Sequence, residues 1–160
     1  MMIIRKAKKE DFEDCFKLEL EYAKYNNKIV IPKSFQYSLS KKERRKQFNK
    51  KIKKINTLFL VMHDKNKIVG FFIGNIDKLN TNGFKFKESK VGYLENVFIT
   101  KKYRNKSYFS KFMKIFYDYL KKNKIKYCVL HVDIKNKKVI EAYNKWGFVV
   151  QEYKMVGKIR

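Results

Sequence analysis

The fold is decided by residues 91–119, VGYLENVFIT followed by KKYRNKSYF and SKFMKIFYDY. Val91 to Ile99 is apolar and rich in β-branched and aromatic residues, which predicts a strand. The polar and basic letters from Thr100 to Lys106 predict a loop. A helix is predicted from Ser107 onward, because apolar residues recur there at spacings of three and four: Phe109, Phe112, Met113, Phe116 and Leu120.

This strand-to-helix turn is a natural site for an anion. The first turn of a helix carries backbone N–H groups without partners inside the helix, and the helix dipole adds positive charge at the same end. Lysines and an arginine in the loop add further attraction for negative charge. The sequence therefore predicts an anion site, suited to phosphate, at the turn.

The composition is that of a globular protein with an unusual charge. One domain, residues 1–160, is predicted, because a chain of 160 residues with 44% hydrophobic content fits one core. The net charge of +25 raises the hypothesis of nucleic-acid binding. However, most of the 40 basic residues are lysines, whereas arginine is the better residue for bidentate recognition of phosphate or guanine. We therefore treat nucleic-acid binding as a secondary hypothesis.

The segments before the hairpin predict one strand and two helices. Met2 to Lys6 predicts a strand, an amphipathic pattern predicts a helix from about Asp11 to Tyr25, and residues 28–40 predict a connection. A second helix, about residues 41–55, is intensely basic and has a narrow apolar seam of Phe48, Ile52 and Ile55. A capping box at its start is predicted from Ser40 and Glu43. A solvated surface helix and a helix for nucleic acid or membrane both fit this pattern.

The remaining segments alternate between strands and helices. Thr57 to Met62 and Ile68 to Ile76 predict an antiparallel hairpin, in which Gly70 and Gly74 indicate a bulge or a close backbone approach. Later elements are predicted as a strand at Lys126–Val132, a helix at 136–145 that Gly147 stops, and one or two closing strands at 148–159. The order β, α, α, β, β, β, α, β, α, β predicts an α/β (α+β) fold, a mixed sheet with helices on both faces.

Two segments have a pattern of residues known from other proteins. Residues 94–109 read LENVFITKKYRNKSYF, and residues 136–148 read NKKVIEAYNKWGF. The first resembles the acetyl-CoA strand and pyrophosphate loop of the GNAT family of N-acetyltransferases, and the second resembles its C-terminal pattern of Asn, Tyr and Gly-Phe. The opening IIRKAKKEDF is similar to the first strand and helix start of that family. The resemblance covers nearly the whole chain and implies the GNAT fold, with a central, mostly antiparallel mixed sheet.

The resemblance also implies acetyl-CoA as the cofactor, bound in a slot between two splayed strands. The strand backbone at Val97, Phe98 and Ile99 would hold the pantetheine arm. Backbone N–H groups of the loop would hold the pyrophosphate, namely those of Arg104, Asn105, Lys106, Ser107, Tyr108 and Phe109. Asn136 would contact the cofactor near a helix start, and it fits the role of a helix N-cap equally well. No metal site is predicted.

The resemblance implies two catalytic residues for acetyl transfer. Tyr143 would protonate the departing thiolate, because a phenol and a thiol have similar basicity; a packed helix aromatic is the alternative. Glu95 would take a proton from the amine or contact the acceptor; a salt-bridged strand residue is the alternative. Glu88 and His131 are weaker candidates for the base. Cys128 has no evident partner that would lower its pKa, so direct attack by the amine is favoured over a covalent enzyme intermediate.

The loop departs from the family pattern at two positions. Arg104 stands where the pattern begins, but Ser107 and Phe109 stand where two small residues are expected. Small residues there let the backbone approach a diphosphate closely. Ser107 is itself small, whereas the side chain of Phe109 must point toward the packed face of the helix.

The leading hypothesis is therefore an acetyl-CoA-dependent N-acetyltransferase whose acceptor is a small-molecule or peptide amine. A GNAT-like binding module that has lost turnover and a basic nucleic-acid-associated protein are the alternatives. Tyr22, Tyr25, Phe35 and Tyr37 are candidates for the wall of an acceptor pocket. No apolar run reaches about 18 residues and the N-terminus lacks a secretory pattern, so we expect no membrane segment and a cytoplasmic protein. A homodimer is left open.

Overall fold

The computed structural model describes residues 2–28, 40–79 and 88–152, and within them five strands form one sheet. The strands are β1 (Met2–Lys6), β2 (Thr57–Asp64), β3 (Lys67–Lys78), β4 (Lys90–Ile99) and β5 (Cys128–Leu130). The helices are α1 (Phe12–Asn26), α2 (Lys41–Lys53), α3 (Tyr108–Lys122) and α4 (Lys137–Asn144). The spatial order of the strands is the same as their order in the sequence.

The sheet is mixed and mostly antiparallel, as predicted. The pairs β1–β2, β2–β3 and β3–β4 are antiparallel, and β5 joins the edge of the sheet parallel to β4. The predicted hairpin of β2 and β3 turns at Lys65, which has a φ of 54°. A parallel neighbour requires a crossover connection, and α3 supplies it between β4 and β5.

Helices cover both faces of the sheet, which confirms the predicted architecture. On one face, α3 packs Phe112 and Phe116 against Phe72 of β3, and Tyr143 of α4 belongs to the same cluster. On the opposite face, α1 and α2 pack an aromatic cluster against the sheet: Phe12, Phe16, Phe48, Phe59, Phe71 and Phe98. The aromatic residues, which make up 16% of the chain, thus contribute to core layers on both faces of the sheet.

Two glycines let α3 lie close to the sheet. A Cβ added at Gly74 would lie 2.4 Å from the ring of Phe116, and one added at Gly92 would lie 2.6 Å from the side chain of Leu120. Both contacts are too short for any side chain larger than hydrogen. The predicted close approach at Gly74 is therefore confirmed, and a register shift in the β3–β4 pairing lies beside it.

The start of α1 is fixed to β1 by an ion pair. Both terminal nitrogens of Arg5 donate to Asp11, at 2.7 and 2.8 Å, and the backbone N–H of Lys8 also donates to Asp11 at 2.7 Å. Burial alone would raise the pKa of the Asp11 carboxyl, but these donors outweigh it and lower that pKa below its ordinary value. Asp11 thereby ties the segment that leads into α1 to the end of β1.

Asp11→Asn should lower the free energy of unfolding by about 2 kcal/mol, because charge-assisted hydrogen bonds are lost at a side chain that is only 8% exposed. Since the folded-state pKa is lowered, this contribution is present above the ordinary carboxyl pKa and is lost as the pH falls through the folded value. Urea unfolding at pH 7 and at pH 3 measures it. Asp14→Asn, which removes an exposed pair with Lys17, is the control and should change stability by less than about 0.5 kcal/mol. Equal losses in the two variants would contradict the assignment.

Three sequence predictions need correction or lie outside the described residues. Helix α2 ends at Lys53 rather than near 55, so Ile55 lies outside the apolar seam and is 93% exposed. Residues 148–152 form no strand, and 153–159 lie outside the described residues. The connection at 28–40 is described only at its two ends. In the described part of the chain, no helix has the length and apolar character that crossing a bilayer requires.

Candidate active site

A slot opens between β4 and β5 where their pairing stops. Gly92 pairs with Cys128 and Leu94 pairs with Leu130, and this register ends there. β4 continues for five more residues to Ile99, still paired with β3 on its other side. The chain leaves β5 after Leu130 and runs toward α4. The backbone of residues 95–99 therefore faces the slot and not a strand.

Glu95 lies at the apex of this slot because it forms a β-bulge. Ile73 pairs with Asn96 and Gly74 pairs with Leu94, which leaves Glu95 as an extra residue in β4. A bulge bends its strand and re-aims a side chain. The bulge thus coincides with the point at which β4 and β5 separate.

The Glu95 carboxylate is held by two partners. Lys51 of α2 forms an ion pair with Oε1, and Asn75 of β3 donates from Nδ2 to Oε2 at 2.8 Å. Asn75 in turn accepts a hydrogen bond from the Thr57 hydroxyl at 2.7 Å. The salt-bridged alternative for Glu95 is therefore present in the structure, and its role as a base stays a prediction.

The loop after β4 is fixed by two side chains. The Tyr103 hydroxyl donates to Asp64 at the end of β2, at 2.6 Å. Nε of Arg104 donates to the carbonyl of Ile99 at 2.8 Å, and its guanidinium lies over the rings of Phe98 and Tyr25, 5.3 and 5.5 Å from their centres. Arg104 therefore ties the loop to the end of β4 with its side chain, and its backbone remains part of the turn.

Two residues of the loop have a left-handed backbone conformation, which favours glycine. Asn105 and Ser107 both have a φ of 59°, in the left-handed region. Asn tolerates this region well, whereas Ser pays a conformational cost for it. Ser107 is the N-cap residue of α3, and its side chain makes no capping hydrogen bond. The first-turn N–H groups of α3, beginning with Tyr108, thus have no cap from this hydroxyl.

The other residues predicted to bind cofactor line the strand and the loop. Val97 and Tyr108 pack against the core cluster on the face of the sheet that α3 covers (the α3-side core). Phe98 belongs to the cluster on the opposite face, which α1 and α2 cover (the α1-side core). Lys106 is exposed and lies 6.0 Å from the ring centre of Tyr103. The structure thus brings the predicted strand and loop residues to one continuous edge of the slot.

Tyr143 lies beneath this edge and is only 6% exposed. Its ring packs against Phe109 and Phe148, with ring centres 5.6 Å away in each case. Burial, with smaller effects from Tyr22 and Cys128, raises the pKa of the Tyr143 phenol far above its ordinary value. The group is therefore a neutral phenol throughout the physiological pH range.

Phe109, the residue that departs most from the family pattern, packs inward. Its ring contacts Tyr143 in an edge-to-face geometry and belongs to the border of the α3-side core. The prediction that this side chain points toward the packed face of the helix is therefore confirmed. The Phe109 ring thus packs beside Tyr143, the residue predicted to act as the acid.

Phe109→Ala should lower turnover roughly three- to tenfold with little change in acetyl-CoA affinity, because an aromatic contact worth about 1 kcal/mol no longer orients the Tyr143 ring. Phe109→Leu should recover part of the loss, since it refills most of the volume. Steady-state kinetics and a calorimetric dissociation constant measure the two effects. A large gain in cofactor affinity in Phe109→Ala would instead mean that this ring narrows the cofactor slot.

Asn136 caps α4 by position and reaches across to α1. Its side chain makes no capping hydrogen bond, and its Oδ1 accepts from the Tyr25 hydroxyl at 3.2 Å. Tyr25 thus contacts both the Arg104 guanidinium on one side of the slot and Asn136 on the other. Tyr22, the other described candidate for an acceptor wall, packs on Phe98, whereas Phe35 and Tyr37 lie outside the described residues.

The weaker candidates have other partners. His131 is exposed and its Nδ1 lies 3.0 Å from the Tyr93 hydroxyl, and Glu88 accepts from Lys126 at 2.8 Å. Burial raises the pKa of the Cys128 thiol to about 12, which keeps it protonated. Neither Glu88 nor Cys128 therefore has the environment of a base or nucleophile.

Sequence reasoning missed three polar residues near the apex. Lys51 and Asn75 contact Glu95, and Asn96 has a buried Oδ1 with no hydrogen-bond partner among the described residues. Asn75 and Asn96 carried a signal, since each is a polar residue inside a predicted buried strand. Lys51 carried none, because it is one of many lysines in α2.

The basic helix α2 uses several of its cations inside the chain. Arg44 donates to both carboxylate oxygens of Glu19 at 2.6 and 2.9 Å. Arg45 and Lys41 both pair with Glu13. These contacts attach α2 to α1, so part of the charge that suggested nucleic-acid binding is neutralised locally.

A basic pocket lies between the end of α1 and the loop. It has a volume of about 230 Å³ and is lined by Glu21, Lys24, Tyr25, Lys28, Phe98, Lys101 and Arg104. Aromatic rings form part of its wall and four cations surround it. An anionic or neutral polar group fits this environment better than a cation.

Comparison with known proteins agrees with this geometry. Residues 8–148 match the model of the acetyltransferase (GNAT) family. The chain belongs to the GNAT family. The matched residues include the slot, the bulge at Glu95, the loop after β4 and helix α4. No protein with a curated description matches the chain in sequence.

Solved structures show the same GNAT fold at low sequence identity. A mutant of the BH1408 protein from Bacillus halodurans has a TM-score of 0.85 and 17% identity, with 99% of each chain covered. An aminoglycoside antibiotic 6'-N-acetyltransferase from Acinetobacter baumannii has a TM-score of 0.75 and 14% identity, over 100% of this chain and 99% of that one. A predicted acetyltransferase with acetyl-CoA from Clostridium acetobutylicum has a TM-score of 0.73 and 17% identity, over 99% of this chain and 96% of that one.

Proposed function

We propose that this GNAT protein transfers an acetyl group from acetyl-CoA to a primary amine by direct attack. The observation that carries the proposal is the slot between β4 and β5, with Glu95 at its apex and the N-terminus of α3 at its open end. The structure from Clostridium acetobutylicum that contains acetyl-CoA supports the choice of cofactor.

The cofactor lies along the free edge of β4. Backbone groups of residues 97–99 bind the pantetheine amides, since they face no strand on that side. The left-handed residues Asn105 and Ser107 turn the loop so that N–H groups from Arg104 to Phe109 surround the pyrophosphate. The cations of the pocket beside the loop attract the phosphates from a distance. The thioester then lies at the apex, beside Glu95.

The chemical step uses one base and one acid. Glu95 accepts a proton from the ammonium of the acceptor, directly or through water, and the amine attacks the thioester carbonyl carbon. The C–N bond forms, the C–S bond breaks, and Tyr143 donates its proton to the departing thiolate, while the nitrogen loses its second proton, which returns to the Tyr143 oxygen through water. Burial keeps this phenol protonated in the free protein and also makes it a weaker acid than an ordinary phenol, so the role rests on its position behind Phe109 and is tested by Tyr143→Phe. No covalent intermediate on the enzyme is needed, and the protonated Cys128 thiol does not supply one.

The acceptor is a small-molecule amine in this proposal, and a peptide amine is the second option. The fold shared with an aminoglycoside 6'-N-acetyltransferase supports a small molecule. The net charge of +25 and the basic pocket disfavour a polycation such as an aminoglycoside. We expect an amine that also carries a neutral or anionic group. The reaction takes place in the cytoplasm in this proposal, which two free cysteines support.

The test is release of free thiol from acetyl-CoA over a panel of primary amines. The panel pairs each amine whose only cation is the acceptor group itself, such as an amino acid amide or an amino sugar, with a polyamine of similar size. The proposal predicts sustained, amine-dependent thiol release that exceeds one equivalent of enzyme. Tight acetyl-CoA binding without turnover on any amine would favour the binding-module alternative.

A further inference from the structure

One lysine of the chain is paired with the carboxylate that we propose as the base. Lys51, in the last turn of α2, forms an ion pair with Oε1 of Glu95. The other carboxylate oxygen is held by Asn75, which the Thr57 hydroxyl fixes in turn. The Glu95 carboxylate therefore holds the Lys51 ammonium at the bulge, and residues of β2 and β3 fix the orientation of that carboxylate.

In the proposed binding mode, the acetyl group of the cofactor ends at the same bulge. The loop that holds the phosphates follows Ile99, and the free edge of β4 runs from there back to Glu95. An extended pantetheine arm along this edge brings its thioester to the apex, where β4 and β5 come together. Lys51 reaches Glu95 from α2, at the residue where the pairing of β4 and β5 has ended, so in this binding mode its Nζ lies beside the thioester carbon.

We propose that Lys51 is a self-acetylation site of this protein. Its proton passes to Glu95, and the neutral Nζ attacks the thioester carbonyl carbon of bound acetyl-CoA. A C–N bond forms as the C–S bond breaks, and the second proton of Nζ passes, directly or through water, to the thiolate to give free CoA. The product is Nε-acetyl-Lys51, which has lost its charge and with it the ion pair to Glu95. The inference rests on the proposed function, since it uses the same slot and the same carboxylate.

Lys54, about one turn further along the chain, differs from Lys51 in the position of its carboxylate partner. Its ammonium lies 3.7 Å from Asp77, which is near the end of β3 and away from the slot. The Lys54 side chain is 52% exposed, whereas that of Lys51 is 27% exposed. Both lysines have a carboxylate partner, but only the partner of Lys51 lies at the apex. Proximity of this kind raises the effective concentration of a nucleophile by orders of magnitude.

The experiment is incubation of the full chain with acetyl-CoA and no acceptor, followed by intact mass and peptide mass spectrometry. We expect one acetyl group to accumulate on Lys51 about tenfold or more faster than on Lys54. The rate should be independent of protein concentration, because the reaction occurs within one chain. Lys51→Arg keeps a cation for Glu95 and should lose the label, whereas Lys54→Arg should keep it. Glu95→Gln should slow labelling about tenfold or more.

The outcomes separate this inference from the proposed function. If acetyl-CoA binds and an added amine is acetylated, but Lys51 reacts no faster than Lys54, self-acetylation is wrong and the proposed function stands. Labelling spread evenly over many lysines, or unchanged in Glu95→Gln, means uncatalysed chemistry and overturns the inference. Absence of acetyl-CoA binding overturns both. A rate that rises with protein concentration would assign the label to transfer between copies and contradict a site within one chain.

Discussion

Tyr143→Phe should lower turnover about 100-fold or more, while the dissociation constant of acetyl-CoA changes less than about twofold. The substitution removes one oxygen from a side chain that is 6% exposed and leaves the ring between Phe109 and Phe148. Packing is therefore retained and the loss is one of proton donation. Without the phenol, the thiolate must leave unprotonated or take its proton from water, which raises the barrier by about 3 kcal/mol for a 100-fold effect.

Two measurements isolate this role. Steady-state thiol release gives the turnover, and calorimetry gives the cofactor affinity of the same preparation. Tyr127→Phe is the matched control, because Tyr127 is 65% exposed and outside the slot, and it should behave as the parent protein. Unchanged turnover in Tyr143→Phe would mean that the residue is a packed helix aromatic and that another group protonates the thiolate.

Ser107→Pro should weaken acetyl-CoA binding roughly 10- to 100-fold, the second large effect that we expect. Proline requires a φ near −65°, whereas Ser107 has a φ of 59°, so the turn cannot keep its shape. The substitution also removes one N–H group from the set around the pyrophosphate. Hydrogen bonds to a charged group contribute about 1.5–3 kcal/mol each, which corresponds to the stated range.

Ser107→Gly is the paired control with the opposite expectation. Glycine adopts the left-handed conformation without the cost of about 1–2 kcal/mol that other residues pay, so the thermal midpoint should rise and binding should be retained or tightened. Circular dichroism of both variants verifies that α3 is still formed. An unaltered dissociation constant in Ser107→Pro would refute the assignment of this loop to the phosphates.

Local sequence patterns predicted those parts of the site that are formed within one continuous segment of the chain. The strand, loop and helix within residues 91–119 appear in the structure with boundaries close to those predicted, because periodicity and turn chemistry decide them within the segment. The strand pattern predicts a bulge or a close approach at Gly74, and the partner, the Phe116 ring, is known only from the packing of α3 on the sheet.

Contacts between distant segments of the chain could not be predicted from the sequence. The ion pair of Lys51 with Glu95 joins residues 44 positions apart, and the bond of Tyr25 to Asn136 joins residues 111 positions apart. Nothing in the letters of a lysine-rich helix distinguishes Lys51 from its neighbours, since only the docking of α2 on the sheet selects it. The bulge at Glu95 likewise depends on the register between β3 and β4, which a single strand does not determine.

The most direct test of the central claim is a calorimetric titration of acetyl-CoA into the protein at low and at physiological salt. We expect binding at one site per chain, weaker at the higher salt because cations surround the phosphate loop, and lost or strongly weakened in Ser107→Pro. Absence of binding at high micromolar acetyl-CoA would mean that this chain has no cofactor site. Binding that Ser107→Pro leaves unaltered would place the cofactor elsewhere than in the slot between β4 and β5.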